Sequence, residues 1–167
     1  PYLGICGLER LEQCADANRV LETLLVDDQH RDRRQFHLID HQGRTACWTG
    51  PDCGEWAGHR HGQDCSVAGN FLVGESVLLA MDVAFQTSDP SWKLGRRLMH
   101  ALQAGEAAGG DRRAVSSTSA ALQISGDAAF PLLDLRVDYN NQAVGELMAI
   151  YERSQDLWAQ QWRDELS

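Results

Sequence analysis

Apolar positions change their period along the chain, and the changes mark its elements. Leu3, Leu8 and Leu11 give a short apolar face that ends near Ala15. Asp16 is placed as a helix N-cap, because Ala17, Val20, Leu21, Leu24 and Leu25 then recur at i, i+3, i+4, i+7 and i+8. Residues 27–34 are a charged connection. Residues 36–39 read as a strand, Asp40-His41-Gln42-Gly43-Arg44 as a hairpin loop, and 45–49 as the returning strand. Gly50-Pro51-Asp52 breaks the chain. Residues 56–60 and 65–69 are two further strands, with Gly62 expected to turn between them.

From Glu75 the period lengthens again. Val77, Leu78, Met81 and Phe85, with Ala80 and Ala84, predict a helix. Ser88-Asp89-Pro90 separates it from another whose expected buried face is Leu94, Leu98, Ala101 and Leu102. Residues 105–110 read as a small-residue loop closed by Asp111-Arg112-Arg113. Residues 119–124 are a strand. In 132–137, Leu133, Leu135 and Val137 alternate with Asp134, Arg136 and Asp138, as a half-exposed strand does. A last helix runs from about residue 142 with Val144, Leu147, Met148 and Tyr151 inward. Trp158 and Trp162, four apart where this helix runs into the C-terminal tail, point to a packing surface and to a homo-oligomer.

Hairpin-linked strands between blocks of helices predict a layered α+β fold with a largely antiparallel sheet. With 167 residues and no linker long enough to divide them, residues 1–167 are expected to form a single domain. A hydrophobic share of 43% is enough for a real core. The net charge of −9 leaves no basic face for phosphates and argues against a nucleic-acid partner. No apolar run is long enough to cross a membrane, and no signal peptide is visible. Five cysteines, an odd number, fit reduced thiols, with Cys6, Cys14 and Cys47 expected in apolar surroundings. A cytoplasmic location is therefore expected. Pro1 opens the chain without an initiator Met and leads directly into a helix pattern, so a fragment or a processed product is expected.

Three stretches carry candidate chemistry. Cys53, His59, His61 and Cys65 supply two thiols and two imidazoles within thirteen residues, the donor set of tetrahedral zinc, although not at finger spacing. The competing reading is a polar hairpin with two unrelated cysteines, and on balance no metal and no cofactor are expected. Gly69-Asn70 follows a strand and precedes a helix. There an amide side chain and backbone N–H groups can hold a developing oxyanion, and a plain turn Asn is the alternative. Gly109-Gly110-Asp111-Arg112-Arg113 precedes the strand opened by Ser119, and an Asp beside two Arg suits an orienting pair, an anion clamp or a solvated loop. No Gly-x-Ser-x-Gly and no Walker loop is present.

Taken in order, these segments resemble domain-of-unknown-function family 1028, which is placed among Ntn-hydrolase-like folds. The resemblance rests on Leu38-Ile39-Asp40-His41-Gln42-Gly43-Arg44 with Thr49-Gly50, on Trp56-Ala57-Gly58-His59-Arg60 and on Gly69-Asn70-Phe71-Leu72. It continues through Gly105-Glu106-Ala107-Ala108-Gly109-Gly110-Asp111-Arg112-Arg113, Ser119-Ala120-Ala121-Leu122 and Asp134-Leu135-Arg136-Val137-Asp138. It implies an αββα four-layer sandwich, here without its N-terminal strands. It also implies a hydrolase of amide (C–N) bonds whose N-terminal Thr, Ser or Cys attacks with its own amine as base. That nucleophile would lie outside this chain. Asn70 and Gly69 are then expected at the oxyanion position, with His59 and Asp111 bracing the pocket. Arg112 would pair with Asp111 or with a substrate anion, and Ser119 would lie nearby. The substrate would be a small molecule or peptide-like. The alternative is a non-catalytic binding or structural module on the same fold. Residues 114–118 depart from the family pattern, which has a Gln before Ser-Ala-Ala-Leu.

Overall fold

The structure is a computed structural model that describes residues 2–13, 16–113, 118–159 and 161. It is a mixed α+β chain that falls into two compact units, Pro1–Asp82 and Val83–Ser167. Its strands pair only as antiparallel hairpins among the described residues.

The first unit opens with α1 (Tyr2–Glu12) and α2 (Ala17–Asp27). Asp16 caps α2, its carboxylate accepting from the Asn18 and Arg19 amides. A 3-10 turn, Arg31–Arg33, leads into β1 (Gln35–Ile39) and β2 (Thr45–Thr49), paired from Gln35↔Thr49 to Ile39↔Thr45. Asp40 organises the loop between them. Its buried carboxylate accepts from the Gln42 and Arg44 amides at 2.9 and 3.1 Å, from the Arg44 Nε at 2.7 Å and from the Ala17 amide at 3.3 Å. The hairpin turn is thereby tied to the start of α2. Burial alone would raise the Asp40 carboxyl, but Arg44 and the three amides outweigh it and hold it at about 2.

One face of β1–β2 meets α1 and α2. Leu38 and Ala46 join Ala17, Val20, Leu21 and Leu24 in a buried cluster, with Phe36 and Trp48 packed against it. β3 (Trp56–Gly62) and β4 (Cys65–Leu72) form the second hairpin. Its turn is Gln63-Asp64, not Gly62, which pairs with Cys65 inside the ladder. Asp64 takes the left-handed conformation, φ 62°, that a two-residue hairpin turn demands and that Asp tolerates. The two turns touch, the Asp64 amide donating to the Gly43 carbonyl at 2.8 Å. Arg60 of β3 reaches Asp82 of α3 (Glu75–Gln86) at 3.0 Å.

In the second unit, α4 (Leu94–Ala107) and α5 (Ala143–Arg153) cover the hairpin of β5 (Ala120–Ile124) and β6 (Leu133–Val137). Met99, Leu122, Val144, Leu147 and Tyr151 are the buried centre. Two expectations fail here. Leu94 is half exposed, whereas Ala101 is buried and Leu98 and Leu102 pack against the core as expected, beside the buried Gly95, Met99 and Gly105. Residues 105–107 are helix rather than loop, with Gly105 on the buried face. Cys6 and Cys47 are half-buried, and Cys14 lies outside the described residues. No helix among the described residues is long and apolar enough to cross a membrane.

Candidate functional site

Alternation along a strand sends successive side chains to opposite faces. In β1–β2, Leu38 and Ala46 face the helices, so Gln35 and His37 of β1 and Thr45, Cys47 and Thr49 of β2 face the other way. Against them lie His59 and His61 of β3 and Ser66 and Asn70 of β4. Stacked sheets commonly bury apolar side chains between them. Here the seam is made of imidazoles, hydroxyls and amides.

Each imidazole faces a hydroxyl. His37 Nδ1 lies 2.7 Å from Ser66 Oγ, His59 Nδ1 2.8 Å from Thr49 Oγ1, and His61 Nδ1 3.1 Å from Thr45 Oγ1. Thr45 Oγ1 donates to the Gly62 carbonyl at 2.7 Å, so it is the acceptor toward His61, whose Nδ1 then carries the proton. Gln35 closes the seam at its other end. Its amide nitrogen donates to the Gly58 and Gly69 carbonyls at 2.9 and 2.8 Å and approaches Thr49 Oγ1 at 3.2 Å. Its oxygen accepts from Asn70 Nδ2 at 3.2 Å.

Burial lowers the pKa of His59, and the nearby His61 and His37 lower it further; the rings of His59 and His61 are 5.9 Å apart. Burial also lowers His37. Neutral imidazoles beside hydroxyls are groups able to take and return protons. The Cys47 thiol is pushed up by burial against a hydrogen bond with Ser66, which disfavours a thiolate. Among the described residues, no group of three or more His, Cys, Asp or Glu is placed to hold a metal ion.

Asn70 stands in a bulge. Gly58 pairs with Gly69 and Trp56 with Leu72, so Ala57 alone opposes Asn70 and Phe71. Phe71 has φ 57°, a left-handed conformation rare for a bulky side chain. Its amide donates to the Gly54 carbonyl at 3.3 Å, and its ring lies where a Cβ on Gly54 would fall, 2.2 Å from Cζ. The bulge re-aims the strand, and the exposed Asn70 amide points at Gln35.

The expected site residues thus divide. Gly69, Asn70 and His59 share one hairpin in the first unit. Asp111, Arg112 and Ser119 belong to the second. There Asp111 takes two hydrogen bonds from the Arg113 Nε, at 3.0 and 3.1 Å, and one from its Nη2, and these hold its carboxyl below the usual range. Asp111 is thus ion-paired with Arg113. Arg112 is exposed, and so is Ser119, which precedes β5 beside Arg136 and Asp138. Trp158 is exposed and Trp162 lies outside the described residues. Gln35, Thr45, Thr49 and Ser66 went unnoticed in the sequence. The signal for them was alternation: Thr45, Cys47 and Thr49 are polar at every second position of a strand yet carry no charge.

Comparison with known proteins places this geometry in context. The model of a family of unknown function, DUF1028, matches residues 1–147. A crystal structure of a Silicibacter pomeroyi protein assigned to the same family is similar, with a TM-score of 0.86 and 28% identity, over 97% of this chain and 70% of that one. No curated protein matches the chain.

Proposed function

Since the chain belongs to DUF1028, a family of unknown function, we propose its activity from the seam itself: hydrolysis of an amide (C–N) bond by the N-terminal-nucleophile route. In that route an N-terminal Thr, Ser or Cys attacks. The proposed framework is an αββα sandwich, and two features of the first unit support it: hairpin stacked on hairpin, and helices on the outer face of the first. The observation that carries the reading is the bulge at Asn70-Phe71. Left-handed geometry at a phenylalanine costs on the order of 1–3 kcal/mol and gathers at functional sites. Here it delivers an amide donor to the mouth of a seam lined by imidazoles.

In the proposed reaction the nucleophile attacks the substrate carbonyl carbon and its proton passes to the chain's own amine. Asn70 Nδ2 has a second hydrogen besides the one given to Gln35, and it meets the oxyanion together with backbone at Gly69. Collapse of the tetrahedral intermediate breaks the C–N bond, and the proton leaves on the departing amine. Water then releases the acyl group. His59, neutral near pH 7, braces the wall through Thr49. The substrate is a small or peptide-like amide, and no cofactor enters.

Intact mass and N-terminal sequencing of the protein as its host makes it test this reading first. A mature first residue of Thr, Ser or Cys is expected. Its Ala variant should abolish turnover in a panel of anilide substrates, and Asn70→Ala should lower kcat by about 100-fold. A mature protein with no such residue would refute the route. One observation favours a second reading, a non-catalytic binding or structural module: all three imidazole Nδ1 atoms already face hydroxyl partners.

A further inference from the structure

The second unit holds a cleft of about 630 Å³ lined by residues of α4, the segment before it and α5. This volume lies in the range of small-molecule sites, roughly 300–1,000 Å³. Trp92, Met148 and Tyr151 give it an apolar wall. Arg96 is stacked on that wall, its guanidinium carbon 4.3 Å from the Trp92 ring centroid, and His100 meets the same ring edge-on at 5.7 Å. Lys93 Nζ donates to the neutral Gln155 Oε1 at 3.0 Å.

Arg44, Arg60, Arg113 and Arg136 all contact carboxylates in this chain. Among the described residues, Arg96 and Lys93 have no carboxylate within salt-bridge distance. In a chain of net charge −9, two cations are thus kept on a cleft wall with the neutral Trp92 and Gln155 as direct contacts. Stacking on Trp92 also fixes the plane of the Arg96 fork before any ligand arrives, which suits bidentate binding of a carboxylate. Glu152 lines the same cleft, and Asp89 lies within electrostatic reach of Arg96. Those charges oppose a polyanion.

We propose that this cleft binds a small monocarboxylate with an aromatic or apolar body. Its ring lies against Trp92, Met148 and Tyr151, and its carboxylate is held by Arg96 and Lys93. This site uses no residue of the hairpin seam and stands independently of the proposed hydrolysis.

The test is an NMR titration of 15N-labelled protein. The Trp92 indole N–H signal is identified by its loss in Trp92→Phe. Benzoate should shift it saturably, whereas benzamide, its neutral isostere, and inorganic phosphate should not. Combining Lys93→Gln with Arg96→Gln should weaken benzoate by at least about tenfold. Both side chains are exposed, so the variant's melting point should match wild type. The benzamide comparison poses the charge question without any substitution, so a folding defect in the variant leaves the test standing. Absence of a saturable benzoate shift, equal binding of benzamide, equal binding of phosphate, or undiminished binding by the folded double variant would each overturn the proposal.

Discussion

Gln35 offers the sharpest test of the seam, because one atom can be exchanged there with almost no change of shape. Its amide nitrogen has two hydrogens. The carbonyls of Gly58 and Gly69, at 2.9 and 2.8 Å, take them best, and Thr49 at 3.2 Å shares what remains. At about 1 kcal/mol net for each of the two carbonyl bonds, and little for the exposed Asn70 contact, which water replaces, Gln35→Ala should cost about 2 kcal/mol, provided that water reaches both carbonyls. Gln35→Glu keeps the oxygen that accepts from Asn70 but puts a second, negatively charged oxygen where the donor stood. Two carbonyl oxygens then face a carboxylate with no hydrogen between them. A loss of at least about 3 kcal/mol is expected near pH 7, more than for Ala although Glu is the closer isostere.

Urea unfolding followed by circular dichroism, with the midpoints of the three proteins compared, measures this. A further signature identifies the cause. The crowded Glu should have a raised folded pKa, so its penalty is complete above that pKa. As pH falls through it, the penalty shrinks relative to wild type at the same pH, because a neutral carboxyl donates one hydrogen. A Glu variant within about 0.5 kcal/mol of wild type near pH 7 would refute the donor role, since that is the span of an indifferent surface change.

Other predictions follow from the same geometry. His37 and His59 have folded pKa values below the ordinary 6.5, so the unfolded chain takes up protons first; stability should be constant above that pH and fall as pH drops from 6.5 toward the lowered values, as read from urea midpoints across pH. Asp40, held at about 2, adds a second loss as pH falls from about 4 toward 2, and Asp40→Asn should make that lower limb shallower while leaving the upper one unchanged, the remainder coming from other lowered carboxylates such as Asp111. Leu147 is fully buried, so Leu147→Ala should cost about 2–5 kcal/mol by thermal or urea unfolding. A Cβ on Gly95 would lie 2.6 Å from Tyr151 Cε2, and Gly95→Ala should therefore cost about 1–3 kcal/mol, despite the better helix propensity of Ala, by the same measurement.

Element order and both first-unit hairpins were legible because period and loop chemistry agreed locally. Asp16 had a helical pattern immediately after it, and Asp40 through Arg44 carried a turn Gly at φ 74°. Errors arose where one residue type serves two ends. Gly62 looked like the turn, but Asp64 also tolerates left-handed backbone and took that place. Gly105 looked like loop, but it lies on the buried face of a helix. The seam was illegible for a different reason. Gln35 bonds to residues 23 and 34 positions away, and no local pattern records which polar strand faces will meet. His59 drew notice within a Cys and His set and Asn70 beside Gly69, whereas their partners Thr49 and Gln35 read as ordinary strand surface.

A polar layer between two hairpins also changes how the first unit comes apart. Separating two apolar faces would expose greasy surface to water, and cooperativity would forbid it short of complete unfolding. Separating these faces exchanges hydroxyl, imidazole and amide contacts for hydration, at a far smaller free-energy cost. The β3–β4 hairpin is therefore built to peel away while Leu38 and Ala46 stay docked on α1 and α2. Amide exchange should record this as two separate opening events, with the backbone of β3–β4 losing protection at lower denaturant than α2.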